Sequence, residues 1–241
     1  MEQSRPTFRL NQAIAKSGFC SRRNADALIA AGRVRVNGQT VRDFNAQVDP
    51  DTDQIAVDGK TLAIHEFVYI AVYKPRGVVT SLSDEKGRKS VMALLPERFR
   101  HLRPVGRLDM NSEGLLIFTN DGDLTQKITH PAHHLPKHYR VTVKGPIGDA
   151  HLHTLARGMQ LADGPTQPAE VQLIDRGPSS STFDIVISEG RNRQIRRMCE
   201  QLGYRVSRLV RLGIGRLQLG QMTPGSWRYL TVDETRQLEP P

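Results

Sequence analysis

The segment Leu115-Leu116-Ile117-Phe118-Thr119 has one natural home, the middle of a sheet. Short apolar runs bounded by turn residues form buried strands, and Asn111-Ser112-Glu113-Gly114 supplies the turn that leads into it. Just upstream, Val105-Gly106-Arg107-Leu108-Asp109 sets one arginine and one aspartate among apolar neighbours. Asp109 is therefore expected on a loop braced by a rigid strand, where a carboxylate can be held for chemistry. A turn cap paired with Arg107 is the plainer expectation for the same residue. Other strand patterns fall at 68–73, 139–143, 170–174, 183–188 and 206–210, and helical ones at 124–129, 149–157, 193–202 and 233–238. This order lacks a regular βαβ alternation, so the expected fold class is α+β on a mixed or antiparallel sheet.

The 241 residues suffice for one large domain or two smaller ones. Their formal charge of +9 points to a polyanionic partner, most often nucleic acid. Aromatic residues make up 5 %, too few for a broad base-stacking platform. Cys20 and Cys199 are far apart and form no CxxC pattern, which fits a reduced cytoplasmic protein. No run approaches the roughly 20 apolar residues that span a bilayer, and Met1–Pro6 lacks the apolar core of a signal peptide. No membrane partner is expected. His130, His133, His134 and His138 are interrupted by Pro131 and Pro136 and have neither an adjacent cysteine nor HExxH spacing. No metal site is expected there. Gly213-Ile214-Gly215 lacks the lysine and serine of a phosphate-binding loop.

Residues 7–62 read as a small separate unit. Phe8, Leu10 and Ile14 open a helical pattern that ends near Ser17-Gly18, and Ser21 is a good N-cap for a second helix. Gly32 follows as its C-terminal glycine, and Arg33-Val34-Arg35-Val36-Asn37-Gly38 is a strong hairpin signal. Arg9, Lys16, Arg22, Arg23, Arg33, Arg35 and Arg42 fall on this helix pair and hairpin, while Asp43, Asp49, Asp51, Asp53 and Asp58 fall in later loops. Such segregation suggests a face that meets phosphates, although an ordinary solvated surface explains it too. Arg9-Leu10-Asn11, Ser21-Arg22-Arg23, Ala25-Asp26 and Val36-Asn37-Gly38 resemble the RNA-binding domain shared with ribosomal small-subunit protein four. The resemblance implies binding of structured RNA through the helix pair and no chemistry of its own. Residues 63–67 read as a linker to a larger domain over 68–241.

In that larger part, Glu189-Gly190-Arg191-Asn192-Arg193-Gln194-Ile195-Arg196-Arg197-Met198 turns a strand into a helix rich in arginine. Arg193, Arg196 and Arg197 are spaced to lie near one another, and only Glu189 and Glu200 offset them in sequence. Arginine forks bind phosphate oxygens in pairs, so Arg191, Arg193 and Arg197, with Arg107, are candidate RNA contacts. Tyr139, in Lys137-His138-Tyr139-Arg140-Val141, enters a strand from a loop and can serve as core or as a flat surface for a base.

Taken together, Lys74-Pro75-x-Gly77, Gly106-Arg107-Leu108-Asp109 with Ser112-x-Gly114, Thr119-Asn120-x-Gly122-Asp123, Lys137-x-Tyr139 and Gly190-x-x-Arg193-Gln194-Ile195-Arg196-Arg197 resemble the RNA pseudouridine synthases of the small-subunit type. The C-terminal motifs, including Pro224-x-x-Trp227-Arg228, resemble most the subfamily of large-subunit (23S) synthase F. Tyr73 stands where that family usually has asparagine, which puts local packing in question. The resemblance implies a cofactor-independent isomerase of uridine in structured RNA, with 23S ribosomal RNA expected as substrate. Small-subunit rRNA, tRNA, or a catalytically silent assembly factor are the alternatives, and a monomer is expected. It also implies Asp109 as the catalytic carboxylate, Tyr139 against the uracil ring and Leu209 as an apolar wall of the pocket. A buried carboxylate protonates unless a cation opposes the shift. The resemblance implies Arg196 as that cation, with Arg107 as the other possibility.

Overall fold

The computed structural model describes residues 7–49, 52–63, 66–82, 87–130 and 135–238. Asp51, positions 64–65 of the expected linker, Pro131, His133, His134, Met1–Pro6 and Pro240-Pro241 lie outside the described residues. Contacts divide the chain into two compact units. The first comprises Met1–Val68, Pro96–Arg103 and Thr119–Gly122, and the second Tyr69–Leu95, Pro104–Phe118 and Asp123–Pro241.

The first unit runs β1 (Phe8–Arg9), α1 (Leu10–Lys16), α2 (Arg22–Ala30), β2 (Val34–Val36), β3 (Gln39–Thr40), β4 (Gln47–Val48), β5 (Ile55–Val57) and β6 (Lys60–Thr61). Ser21 caps α2, its hydroxyl accepting a hydrogen bond from the Asn24 amide at 3.2 Å. Asn37-Gly38 and Asp58-Gly59 turn two hairpins with every central residue at positive φ, the geometry that follows the natural strand twist. Strands β3-β2-β5-β6 form one sheet. Leu10, Ile14, Ala25, Ile29, Val34, Ile55 and Val57 fill the core beneath it. Phe8 does not open the helix as its spacing suggests. It lies in β1, where Val48 is its cross-strand partner. Segments 96–103 and 119–122 group with this unit although their sequence positions fall within 68–241. Asn120 shows why: its side chain accepts from the Val68 amide at 2.8 Å and donates to the Glu66 carbonyl at 2.9 Å.

The second unit carries β7 (Tyr69–Lys74), β8 (Arg103–Val105), β9 (Glu113–Thr119), α3 (Gly122–Thr129), β10 (Lys137–Lys144), α4 (Asp149–Arg157), β11 (Gln160–Leu161), β12 (Gly164–Pro165), β13 (Glu170–Arg176), β14 (Ser180–Ile187), α5 (Gln194–Gln201), β15 (Val206–Ile214), β16 (Leu217–Gln218), β17 (Trp227–Tyr229) and α6 (Val232–Arg236). Its main sheet has the order β13-β14-β10-β15-β9-β7-β17, with β16 beside β15 and β8 beside β9. β10 is antiparallel to β14 and β15, whereas β15 and β9 run parallel. The sheet is mixed, and the fold is α+β.

The parallel contact depends on one residue. Gly114 has φ of +105°, and a Cβ there would meet the Arg211 carbonyl oxygen at 2.2 Å, well inside van der Waals contact. Only glycine lets β9 approach β15 so closely. Side chains alternate across β15, so Leu209 joins the core under α4 and α5, with Val141, Phe183, Ile195 and Met198, while Val210 joins Leu115, Ile117, Leu124 and Ile128 under α3. Both ends of the Asp109 loop are thereby fixed to strands of a well-packed sheet.

Candidate active site

Loop 106–112 connects β8 to β9, and it is held from three sides. Leu108 is buried, and its backbone exchanges hydrogen bonds with the Thr80 hydroxyl, 2.8 Å from the carbonyl and 3.3 Å from the amide. The Asp109 carbonyl accepts from the Ser112 amide at 3.0 Å, closing the turn. Beneath it lies Lys74, with no exposed surface at all. Its ammonium donates to the carbonyls of Pro75 at 3.0 Å, Met110 at 3.4 Å and Ser112 at 2.7 Å. Burial pushes the Lys74 pKa down to about 8, against the upward pull of the charges on Asp109 and Glu113. An ammonium has three donors, and here each is directed at backbone oxygen.

Arg196 braces the loop from the side of α5. It is buried, and its Nη2 donates to the Asn111 carbonyl at 2.8 Å and the Ser112 hydroxyl at 3.5 Å, while Nη1 reaches the Val206 carbonyl at 3.4 Å. The expected ion pair between Arg196 and Asp109 does not form. The guanidinium enters from behind the loop and meets its backbone, so it lies outside the cleft lining. The two charges still sense each other: burial and Arg193 lower the Arg196 pKa, and Asp109 opposes that shift. Arg107 does not take its place, being exposed at the cleft with no ion pair among the described residues. The Asp109 carboxylate, half-buried, takes no hydrogen bond from any described side chain. It lines the cleft.

That cleft encloses about 670 Å³, on the scale of a small-molecule site. Asp109 and Arg107 line one side, Tyr139 and Lys137 come from β10, and Leu209 and Arg211 from β15. Ile187 and Ile195 complete an apolar wall with Leu209. Tyr139 and Leu209 thus line the same cleft as Asp109. Arg211 is the residue that sequence reasoning missed. It looks like one more arginine in a basic run, yet it is buried across the strand pair from Tyr139. The only signal for it is its period-two relation to Leu209, which puts both on one face of β15.

The arginines of the 189–197 segment diverge. Arg191 donates to Glu189 Oε2 at 3.0 Å and to the carbonyls of Gly164 and Pro165. Arg197 grips Asp163 with both Nη atoms, at 2.8 and 2.9 Å. These forks are engaged by the protein, which weakens both as direct phosphate contacts. Asp163, in the turn between β11 and β12, is the compensating acid that linear sequence could not reveal. Arg193 makes only a loose, exposed ion pair, 3.8 Å from Glu200. It is exposed, lines the cleft and holds a left-handed backbone (φ 50) at the N-cap of α5, a strained conformation for a residue with a Cβ.

The basic residues of the first unit divide in the same way. Arg33 is bound bidentately by Asp58, at 2.8 and 2.5 Å, so its basic face is not wholly clear of acids. Lys16 lies over the rings of Phe8 and Phe67, 4.4 and 3.9 Å from their centroids, a cation–π sandwich rather than a projecting charge. Arg22 is half-buried, whereas Arg9, Arg23 and Arg35 are exposed. Among the described residues no three His, Cys, Asp or Glu side chains are grouped to hold a metal, and no helix is long and apolar enough to cross a membrane.

Comparison with known proteins gives this geometry a lineage. The family model for RNA pseudouridylate synthase matches residues 68–201, and that for the S4 domain matches residues 8–61. An uncharacterized RNA pseudouridine synthase of Mycobacterium leprae is 39 % identical over 99 % of this chain and 94 % of its own length. The ribosomal large subunit pseudouridine synthase B of Bacillus subtilis is 40 % identical over 95 % of both chains. A crystal structure of a pseudouridylate synthase is 31 % identical, superimposes with a TM-score of 0.69, and covers 96 % of this chain and 99 % of that one. Two relatives named for a large-subunit role, from Bacillus subtilis and Shigella flexneri, are synthases B, where the C-terminal motifs resemble synthase F.

Proposed function

This chain belongs to the RNA pseudouridylate synthase family, with an S4 domain in front, and on that premise we propose that it isomerises uridine in large-subunit (23S) ribosomal RNA, with Asp109 as the reacting carboxylate. One observation carries the residue assignment. Two buried cations clamp the Met110, Asn111 and Ser112 carbonyls, yet the adjoining carboxylate accepts no hydrogen bond from a described side chain and lines a cleft. A loop anchored this firmly suits a group that must meet a reacting atom within a few tenths of an ångström.

The reaction moves a ribose from nitrogen to carbon of the same base. The C1′–N1 bond breaks and its electron pair stays on the uracil ring. Asp109 covers the electron-poor C1′, the ring turns, and C5 forms the new bond. C5 gives up one proton and N1 gains one, so composition is unchanged. Tyr139 presents a ring face for the uracil, and Leu209 with Ile187 and Ile195 keeps water from the intermediate. Arg196 acts as a positioning residue for the loop. The target base must leave its stack to reach Asp109, at a few kcal/mol. Exposed Arg107 and Arg193 at the cleft, and Arg23 and Arg35 on the S4 domain, offset this through phosphate contacts.

In this reading residues 7–62 anchor RNA and 68–241 perform the chemistry, in a cytoplasmic monomer. The large-subunit choice rests on the synthase B names of relatives at 40 % and 35 % identity. The test is to map pseudouridine in total RNA from cells with the gene, without it, and complemented with Asp109→Asn. Loss of a 23S site restored by the wild-type gene alone is expected. Loss confined to 16S rRNA or tRNA overturns the substrate, and restoration by Asp109→Asn overturns the residue.

A further inference from the structure

The floor of the cleft holds two cations that the reaction outlined above does not use. Arg211 is 5 % exposed although it lines the cleft. Its Nε donates to the Leu115 carbonyl at 2.7 Å, but its Nη2 is buried with no hydrogen-bond partner among the described residues. Lys137 stands two residues before Tyr139 on β10, hence on the same face, and also lines the cleft. Neither side chain forms an ion pair among the described residues. Burial and the nearby charge of Arg211 together push the Lys137 pKa down. Two like charges in a poorly solvated pocket repel, and a buried donor without a partner is costly. Both penalties are relieved when an anion, or an oxygen that becomes anionic, occupies the space.

We propose that Arg211 and Lys137 form a cationic seat for the uracil ring, taking up the negative charge that the ring carries once it has parted from ribose. The proposal rests on the Asp109 reading. When the C1′–N1 bond breaks, the electron pair left on N1 spreads to the O2 and O4 carbonyl oxygens. The two cations donate hydrogen bonds to those oxygens and neither gains nor loses a proton. The charge on the ring vanishes as C5 bonds to C1′, so the interaction is strongest in between, which is where it accelerates the reaction. A backbone phosphate is the other conceivable anion. Depth decides against it: Arg211 lies across the strand pair from Tyr139, at the level of the base, while exposed Arg107 and Arg193 are the side chains placed to meet a phosphate.

The test uses the full-length protein in single turnover on saturating large-subunit rRNA transcribed with uridine or with 5-fluorouridine. Nucleosides are analysed after nuclease digestion. Fluorine makes the departing ring a weaker base that needs less stabilisation. Arg211→Met is expected to slow glycosidic cleavage of uridine by about 10²–10³-fold, the usual effect of deleting one donor to a developing anion. RNA affinity should stay within threefold, and the deficit should shrink at least tenfold with 5-fluorouridine. Arg211→Lys should recover part of the rate. Lys137→Met, which removes no hydrogen bond among the described residues, should show the same pattern more weakly and serves as the test should Arg211→Met fail to fold. An equal deficit with both nucleotides, or an affinity that falls in step with the rate, overturns the proposal. Asp109→Asn runs in parallel: activity in that variant, or none in wild type, overturns the underlying reading instead.

Discussion

At the residue scale, the loop that carries Asp109 depends on charges its neighbours cannot easily exchange. Lys74 is the clearest case, with its pKa held near 8 by burial. Below pH 8 the ammonium is present in both folded and unfolded chains. Between about 8 and the ordinary 10.5, the folded protein releases a proton that the unfolded chain retains, so this group's contribution to stability rises with pH. Each unit of separation is worth about 1.4 kcal/mol. Activity should run the opposite way, because the neutral amine loses one donor and its charge. Single-turnover rates are expected to fall as pH rises through 8 while thermal stability does not. Lys74→Met should be at least tenfold slower and lack that alkaline limb; the same limb in the variant contradicts the assignment. Arg196 leads to a different profile. It holds loop carbonyls rather than the carboxylate, so Arg196→Ala should be slower by tenfold or more at every pH from 6 to 9, parallel to wild type. Arg196→Lys should be little better, since one ammonium cannot reach both Asn111 and Val206. Recovery of Arg196→Ala at high pH would restore the direct ion pair.

At the scale of elements, local pattern carried far and pairing did not. Leu115–Phe118 is legible as a strand because it is uniformly apolar between turns, and Asn37-Gly38 as a hairpin because few other dipeptides accept its backbone. Helix 149–157 falls where its spacing predicts, as α4. The Asp109 loop was legible through its setting between Gly106 and Gly114. What sequence could not reveal are partners distant along the chain. Asp163 captures Arg197 from 34 residues away, and Arg208 pairs with Glu113. Arg196 turns inward because α5 buries one face, so its spacing from Arg193 and Arg197 says little about what it touches. The two-residue strands β1, β3, β4, β6, β11, β12 and β16 are too short to show a period. The parallel contact of β9 with β15 has one sharp consequence. Gly114→Ala sets a Cβ against the Arg211 carbonyl in a backbone conformation that alanine resists. It should destabilise the fold by more than about 3 kcal/mol, with Tm falling well over 5 °C. A Tm within 2 °C of wild type shows that the strands can separate freely.

At the scale of the whole molecule, the net charge of +9 is unevenly available. Arg33, Arg191 and Arg197 are engaged by Asp58, Glu189 and Asp163, whereas Arg23 and Arg35 are exposed without ion pairs among the described residues. Replacing Arg23 and Arg35 by glutamine should weaken rRNA binding and lower the slope of log affinity against log salt by up to about 2. Arg33→Gln should change that slope less. Equal slopes for all these proteins show that the S4 domain meets RNA by another face. Conversion of uridine depends above all on the one carboxylate of Asp109. The measurement is single-turnover pseudouridine formation by purified Asp109→Asn and wild-type protein on saturating large-subunit rRNA, with Kd measured alongside. Asparagine keeps the shape and loses the charge, so a rate reduced by at least 10⁴-fold is expected, with Kd within threefold. A rate within tenfold of wild type, a barrier change of at most about 1.4 kcal/mol, contradicts it.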